Sequence, residues 1–293
     1  MASQARLSRI AVEHLLFATD FSSESDNALH CATSFARRYG SSLTIAHVLT
    51  RETAVTMGDT WPVVEDLLQE RAEKMMARLE QADEVRTVPH DITITKGNAG
   101  DEILRIAREG NIDLIVMATH GYGGAKKFFL GSTAESVLRH ATCPVLTVGP
   151  HARLVTPERL RHIFYATDFF SGSTRALSFA LSLAEEDRSE LTLLHVIESK
   201  PISKDELFDL RFQDREQLTH MLPSDFDLAY KPEIEVETGI AHVEILRLAE
   251  TRGADLIVMG AHSAGAVSTH LPWTTMHRVL QGASCPVLTV RGQ

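Results

Sequence analysis

Cysteine is scarce: three residues in the whole chain, Cys31, Cys143 and Cys285, with no CxxC pair among them. That excludes a disulfide framework and a cysteine-type zinc site, both of which need more thiols at closer spacing. Cys143 and Cys285 each precede a proline at the start of an apolar strand, which predicts inert core thiols in a reducing compartment. No apolar run reaches the length of a membrane span. The opening MASQARLSRIAVEHLLFATDF has no long apolar stretch and no small-residue cleavage site, so a cytoplasmic location and no membrane partner are expected. A basic excess is also missing. The formal net charge is -10, against the basic surface of a general nucleic-acid binder, so no nucleic-acid partner is expected. There is no GxxxxGK[ST], no GxGxxG after the first strand and no HIGH-like motif. The histidines 262, 270 and 277 match no recognised ligand spacing, so no metal site is expected.

What the chain has is an internal repeat. HLLFATDFSSESDNALHCATSFARRYGSSLTIAHVL, from His14, matches HIFYATDFFSGSTRALSFALSLAEEDRSELTLLHVI, from His162. AGDEILRIAREGNIDLIVMATH, from Ala99, matches AHVEILRLAETRGADLIVMGAH, from Ala241, and the copies close with VLRHATCPVLTVG and VLQGASCPVLTVR. The stretch 149–158, with Pro150 and Pro157, reads as the linker. The expected domains are 1–152 and 153–293.

Each copy carries the same order of elements. HLLFATD is a short apolar strand that delivers Asp20 at its carboxyl end. Residues 22–39 form an amphipathic helix, with Ser22 or Ser23 as N-cap and Gly40 as the stop. SSLTIAHVL is a second strand. A long polar helix over about 63–83 follows, with Leu67, Leu68, Met75 and Leu79 on its buried side. DITITK is a third strand, then come a helix over 101–109, the strand DLIVMAT, a glycine-rich loop, a helix over 133–140 and the strand PVLTV. In the second copy a mixed-charge helix over 208–221 reads as a solvated surface. Alternating strands and helices, with continuous LIVM runs, predict parallel sheets covered on both faces.

In such sheets ligands bind beyond the carboxyl strand ends, where strand order reverses. Ala18-Thr19-Asp20, Val48 and Met117-Ala118-Thr119-His120 converge there, followed by glycines 121, 123 and 124 and then Gly131-Ser132-Thr133 opening a helix. Glycine lets backbone N–H groups approach a phosphate, and a helix start favours an anion. Ser132 and Thr133 add hydroxyls, one of them the expected N-cap; Lys126 and Lys127 offer charge. Asp20 and Asp168 have a plainer reading as caps of the following turns, and His120 and His262 as loop hydrogen-bonding residues.

The run DLIVMATHGYGGAKKFFLGSTAESVLRHATCPVLTV resembles the signature of the universal stress protein family: glycine, two residues, glycine, nine residues, then glycine and Ser or Thr. FATDFS, YATDFF, the HV pairs and CPVLTV in both copies fit the same family. The resemblance implies two tandem, doubly wound, open parallel-sheet domains of Rossmann-like architecture, of the class shared with adenine nucleotide alpha hydrolases. It implies a pseudo-dimer paired through the last strands, and an adenine nucleotide, ATP or another, with or without Mg²⁺. Ala18, Thr19 and Asp20 would hold the adenosine, Val48 and Met117 would line the adenine pocket, and Gly121, Gly131, Ser132 and Thr133 would bind ribose and phosphates, with Ala118 and His120 beside them.

Both copies depart from the signature. Ala118 stands at its first glycine. In the second copy Gly260 is present, but Ser263 and Trp273 replace the other two glycines and Pro272 removes a donor. Asp168, Val196, Met259 and Gly260 remain as an adenosine pocket at most. The expected function is a stress-response regulatory module with little or no catalysis. The alternatives are a slow Mg-dependent ATPase and an interaction scaffold, with a homodimer and a protein partner left open.

Overall fold

The computed structural model describes residues 11–50, 61–120, 130–153, 159–170, 173–198, 203–223, 226–261 and 271–292. The chain divides into two compact units, one built on Ala11–Pro150 and the other on Arg159–Gln293 with a short preceding stretch.

The first unit runs β1 (His14–Ala18), α1 (Ser23–Tyr39), β2 (Ser42–Leu49), α2 (Trp61–Glu80), α3 (Asp83–Arg86), β3 (His90–Lys96), α4 (Ala99–Glu109), β4 (Leu114–Ala118), α5 (Ser132–His140) and β5 (Val145–Val148). Its strands lie in the order β3-β2-β1-β4-β5, every pair parallel. The second unit repeats the plan with β6 (His162–Ala166), α6 (Ser173–Asp187), β7 (Glu190–Ile197), α7 (Lys204–Met221), β8 (Glu233–Thr238), α8 (Ala241–Thr251), β9 (Leu256–Ala261), α9 (Leu271–Gly282) and β10 (Val287–Arg291). Here the order is β10-β9-β6-β7-β8, again all parallel. Each is a doubly wound sheet with helices on both faces, as the continuous apolar runs require. Leu15, Leu16, Phe17, Ile163, Phe164 and Tyr165 are fully buried in the two central strands. Among the described residues no helix is long and apolar enough to cross a membrane.

Local chemistry sets the helix ends. The Ser22 side chain accepts from the Ser25 N–H at 3.3 Å, and Glu24 and Asp26 sit in the first turn of α1 where the helix dipole favours them. Gly40, at φ 65°, ends that helix; Arg188 takes the same left-handed conformation at the matching place in the second unit, φ 51°. At the amino ends of the strands, Asp113 Oδ2 accepts from the Glu13 and His14 N–H groups at 2.8 and 2.9 Å. Asp255 Oδ2 does the same for Arg161 and His162, at 2.7 and 3.1 Å.

The buried side of α2 differs from the expected one. Leu68, Ala72 and Met76 are buried, Met75 and Leu79 only half-buried, and Leu67 is exposed. The helix touches the sheet along a single i, i+4 stripe, narrower than the face drawn from hydrophobicity alone.

Candidate functional site

In each sheet the chain moves one way from its first strand to its third and then crosses back to its fourth. In the first unit strand order reverses between β1 and β4, so a crevice opens beyond their carboxyl ends. Ala18 lies level with Ala46 on β2 and Met117 on β4, and the Thr19 N–H continues the ladder to the Ala46 carbonyl at 2.9 Å. Ala18, Thr19, Val48, Met117 and Ala118 are all buried there, and Asp20 and His120 are half-buried. His120 Nδ1 is 2.9 Å from Thr119 Oγ1. Gly121, the other loop glycines, Lys126 and Lys127 lie outside the described residues. In the second unit Val196 and Met259 are buried, Gly260 is half-buried and Asp168 is exposed; His262 and Ser263 lie outside the described residues.

The turn after β1 is braced from three sides. Asp20 Oδ1 accepts from the Ser22 N–H at 3.0 Å, the Ser22 hydroxyl at 2.6 Å and the Ser25 hydroxyl at 2.8 Å. Phe21 sits at φ 61°, its N–H donating to Thr19 Oγ1 at 2.9 Å. The Phe21 ring packs on His47 with centroids 4.4 Å apart, and His47 Nδ1 is 2.8 Å from the Thr19 carbonyl oxygen. Desolvation pushes the His47 pKa below its ordinary value, against the opposing pull of the Thr19 carbonyl and the Asp20 charge. The second unit reproduces the brace with Thr167, Phe169 at φ 65° and His195, whose Nδ1 is 2.9 Å from the Thr167 oxygen. Sequence comparison pairs His47 with His195 but carries no signal that both reach back to the preceding strand end.

Asp20 therefore acts as a turn cap through Oδ1, the plainer of its two readings. In the second unit the Phe170 N–H donates to Asp168 Oδ1 at 3.2 Å, the place that the Ser22 N–H takes on Asp20.

The start of α5 departs from expectation. Its N-cap is Gly131, with no side-chain cap; Ser132 and Thr133 are already helical, and neither hydroxyl caps the helix. The Gly131 N–H donates to the Thr119 carbonyl at 2.9 Å, so that donor is engaged by the protein. A Cβ on Gly131 would stand 3.2 Å from the same carbonyl oxygen, which is why glycine suits the position. The N–H groups of Ser132, Thr133 and Ala134 have no intrahelical acceptor, as at any helix start, and that start lies against Thr119 and His120.

The offset of 142 residues that joins Cys143 to Cys285 joins Ser132 to Thr274. Helix α9 begins at Leu271, three residues ahead of that point, so Pro272 and Trp273 are helical where the first unit has its Gly131 cap. At the matching residues of the second unit the chain is already helical.

The universal stress protein family matches this chain twice, over residues 11–149 and 159–291. The chain belongs to the universal stress protein family. A universal stress protein of Mycolicibacterium smegmatis is 25% identical over 292 residues, spanning 94% of this chain and 96% of the relative. One from Thermus aquaticus is 34% identical over 138 residues, which is 46% of this chain and 96% of its own length, a single-domain match. Among solved structures, a universal stress protein from Archaeoglobus fulgidus superposes with a TM-score of 0.73 at 21% identity, covering 98% of each chain. That last likeness is one of fold.

As a tandem universal stress protein, the chain thus carries two copies of the family domain with the same strand order and the same His-braced turn. The copies differ at the start of the helix that follows the fourth strand.

Proposed function

We propose that this is a cytoplasmic universal stress protein of two domains, joined near residue 152, whose first domain binds an adenine nucleotide, ATP alone or with Mg²⁺. It acts as a regulatory binding module with little or no turnover. The observation that carries the reading is the start of α5: three backbone N–H groups without an intrahelical acceptor at the positive end of a helix, beside the strand-order reversal. Phosphates would lie against Ser132 and Thr133, with Gly121 in the loop before them. Adenosine would lie along Ala18, Thr19, Asp20, Val48, Met117, Ala118 and His120. Gly131 serves as the residue that lets the helix start approach Thr119, its own N–H being engaged there.

The second domain offers Asp168, Val196, Met259 and Gly260 for an adenosine, but α9 starts too early to leave an equivalent phosphate cradle. One nucleotide per chain is the expected stoichiometry.

Calorimetric titration of the nucleotide-stripped chain with Mg²⁺-ATP tests this, beside Gly131→Trp and the milder Thr133→Pro, each checked for folding by thermal melting. Binding near one per chain that both variants weaken supports the reading. No heat and no binding by the stripped wild type would overturn it.

A further inference from the structure

His195 is held from two directions. Its Nδ1 lies 2.9 Å from the Thr167 carbonyl oxygen, and its Nε2 lies 3.8 Å from Asp214 Oδ2 on α7. A carbonyl oxygen only accepts, so Nδ1 carries a hydrogen. Charge then decides what Nε2 presents. In the neutral ring it turns a lone pair toward the carboxylate; in the imidazolium it turns an N–H. Only the second arrangement is attractive. The two side chains are 16% and 18% exposed, so water screens the pair only in part.

The first unit keeps the Nδ1 contact and lacks the acid. The 142-residue offset that sets Leu68 and Met76 of α2 on Leu210 and Leu218 of α7 sets Ala72 on Asp214. Ala72 is buried in an apolar cluster with Leu49 and Leu68, against which Phe21 and Ile94 pack. Burial there holds the His47 pKa below its ordinary value. A carboxylate in the middle of a sheet-facing stripe adds nothing to packing, and it loses solvation unless a cation meets it.

The other charges near His195 are distant or engaged. Across the β7–β8 ladder His195 lies level with Val236, and by strand alternation Ile234 and Thr238 are its further neighbours on that face of β8. On β6 the nearest acid is Asp168, exposed, one residue beyond Thr167. On α7, Arg211 donates to Thr238 Oγ1 at 2.9 Å and pairs with Glu237 at 3.6 Å. Arg215 donates to the Ile234 carbonyl at 2.7 Å. His195 is the one ion-pair partner of Asp214 among the described residues.

The helix that carries Asp214 is thinly seated. Leu218 is the one buried side chain of α7, and Leu207, Leu210, Asp214 and Met221 are half-buried. An element with so little buried apolar surface opens locally at less cost than unfolding its domain.

We propose that His195 and Asp214 form a proton-operated latch that fastens α7 to the sheet of the second domain as pH falls. The attraction exists only with α7 seated and His195 charged. The seated state therefore binds the proton more tightly than the released state, and by linkage acid favours seating. The gain is present below the ordinary range of an imidazole, about 6.5, and fades as pH rises through it; it is lost again where a carboxylate takes up its own proton, near about 4. Ala72 gives the first domain no such latch, and burial there favours the neutral ring, so the two domains answer acid in opposite senses. The latch lies in the second domain and does not rest on nucleotide binding by the first.

Hydrogen–deuterium exchange of the full chain at pH 7.5 and 6.0, corrected for intrinsic rates and read on peptides from 204–221, tests this. Wild-type α7 should be about threefold better protected at pH 6.0, the scale of a partly screened ion pair. Asp214→Asn, which keeps the shape and removes the charge, should abolish that gain. So should His195→Gln, which keeps a donor for the Thr167 carbonyl. At pH 6.5 the imidazolium fraction of His195, read from ring ¹⁵N shifts, should fall in Asp214→Asn. Protection of wild-type α7 that does not rise on acidification overturns the proposal, as does a gain that Asp214→Asn retains in full or an imidazolium fraction that it leaves unchanged.

Discussion

The imidazole of His47 holds the carbonyl oxygen of Thr19, Nδ1 to oxygen 2.8 Å, across a turn whose Phe21 is forced to φ 61°. A left-handed aromatic residue is strained, and it persists because the ring packs on the same imidazole. His47 is thus the element that keeps the end of β1 in the shape from which Asp20 projects.

Burial lowers the His47 pKa in the folded chain, so the unfolded chain takes up the proton first as pH falls. Stability from this group is complete above the ordinary imidazole range and is lost as pH drops through it. Urea melts at pH 7.5 and 5.5 should show a fall that His47→Gln flattens. The variant should also cost about 1 kcal/mol at the higher pH through the lost carbonyl bond.

Asp20→Ala removes three local hydrogen bonds as well as any ligand contact. It should destabilise the first unit by about 1–2 kcal/mol in the absence of nucleotide, the usual range for a lost polar cap. Chemical denaturation of the stripped protein measures this. Ser25→Ala, which leaves the carboxylate in place, should cost less.

The aspartates at the amino ends of the sheets are the stronger structural anchors. Each accepts two backbone N–H groups from the chain entering the first strand of its unit. Asp255 is buried, so Asp255→Ala strands two donors and should cost about 2–3 kcal/mol. Asp113→Ala should act in the same direction, and its effect should add to that of Asp255→Ala in the double variant, because the two sit in different units.

Thr289 and Ser182 are buried, and neither hydroxyl oxygen has a hydrogen-bond partner among the described residues. Thr289→Val keeps the shape of the side chain and removes the unmet polar group, so it should be neutral or stabilising by about 1 kcal/mol. A lower melting temperature would show that the hydroxyl is bonded in solution.

Burial raises the thiols of Cys31 and Cys285 to about 12. At pH 8 both should resist labelling by a disulfide reagent until the chain unfolds, whereas Cys143, which is only half-buried, should react first. Counting released thiolate with and without urea distinguishes the three.

The order of strands and helices, the twofold repeat and the family follow from the sequence by itself. The apolar runs of β1, β4, β6 and β9 are short, continuous and bounded by turn residues, and they occur twice in the same order. Burial in a parallel sheet demands that pattern and little else produces it. The same holds for Gly40 and Ser22, whose roles depend on the backbone within a few residues of each. Which of two adjacent leucines faces the core was decided by the tertiary structure: Leu67 and Leu68 are alike in composition, and the seating of α2 on its sheet buries only the second. The cap of α5 was decided in the same way. Ser132 is the better capping residue by local chemistry, yet the Thr119 carbonyl, twelve residues earlier in the chain, takes the Gly131 N–H and sets the helix start there. The brace of His47 on Thr19 joins the end of one strand to its neighbour. Contacts between elements distant in sequence leave no periodicity to read, so packing alone brings these residues together.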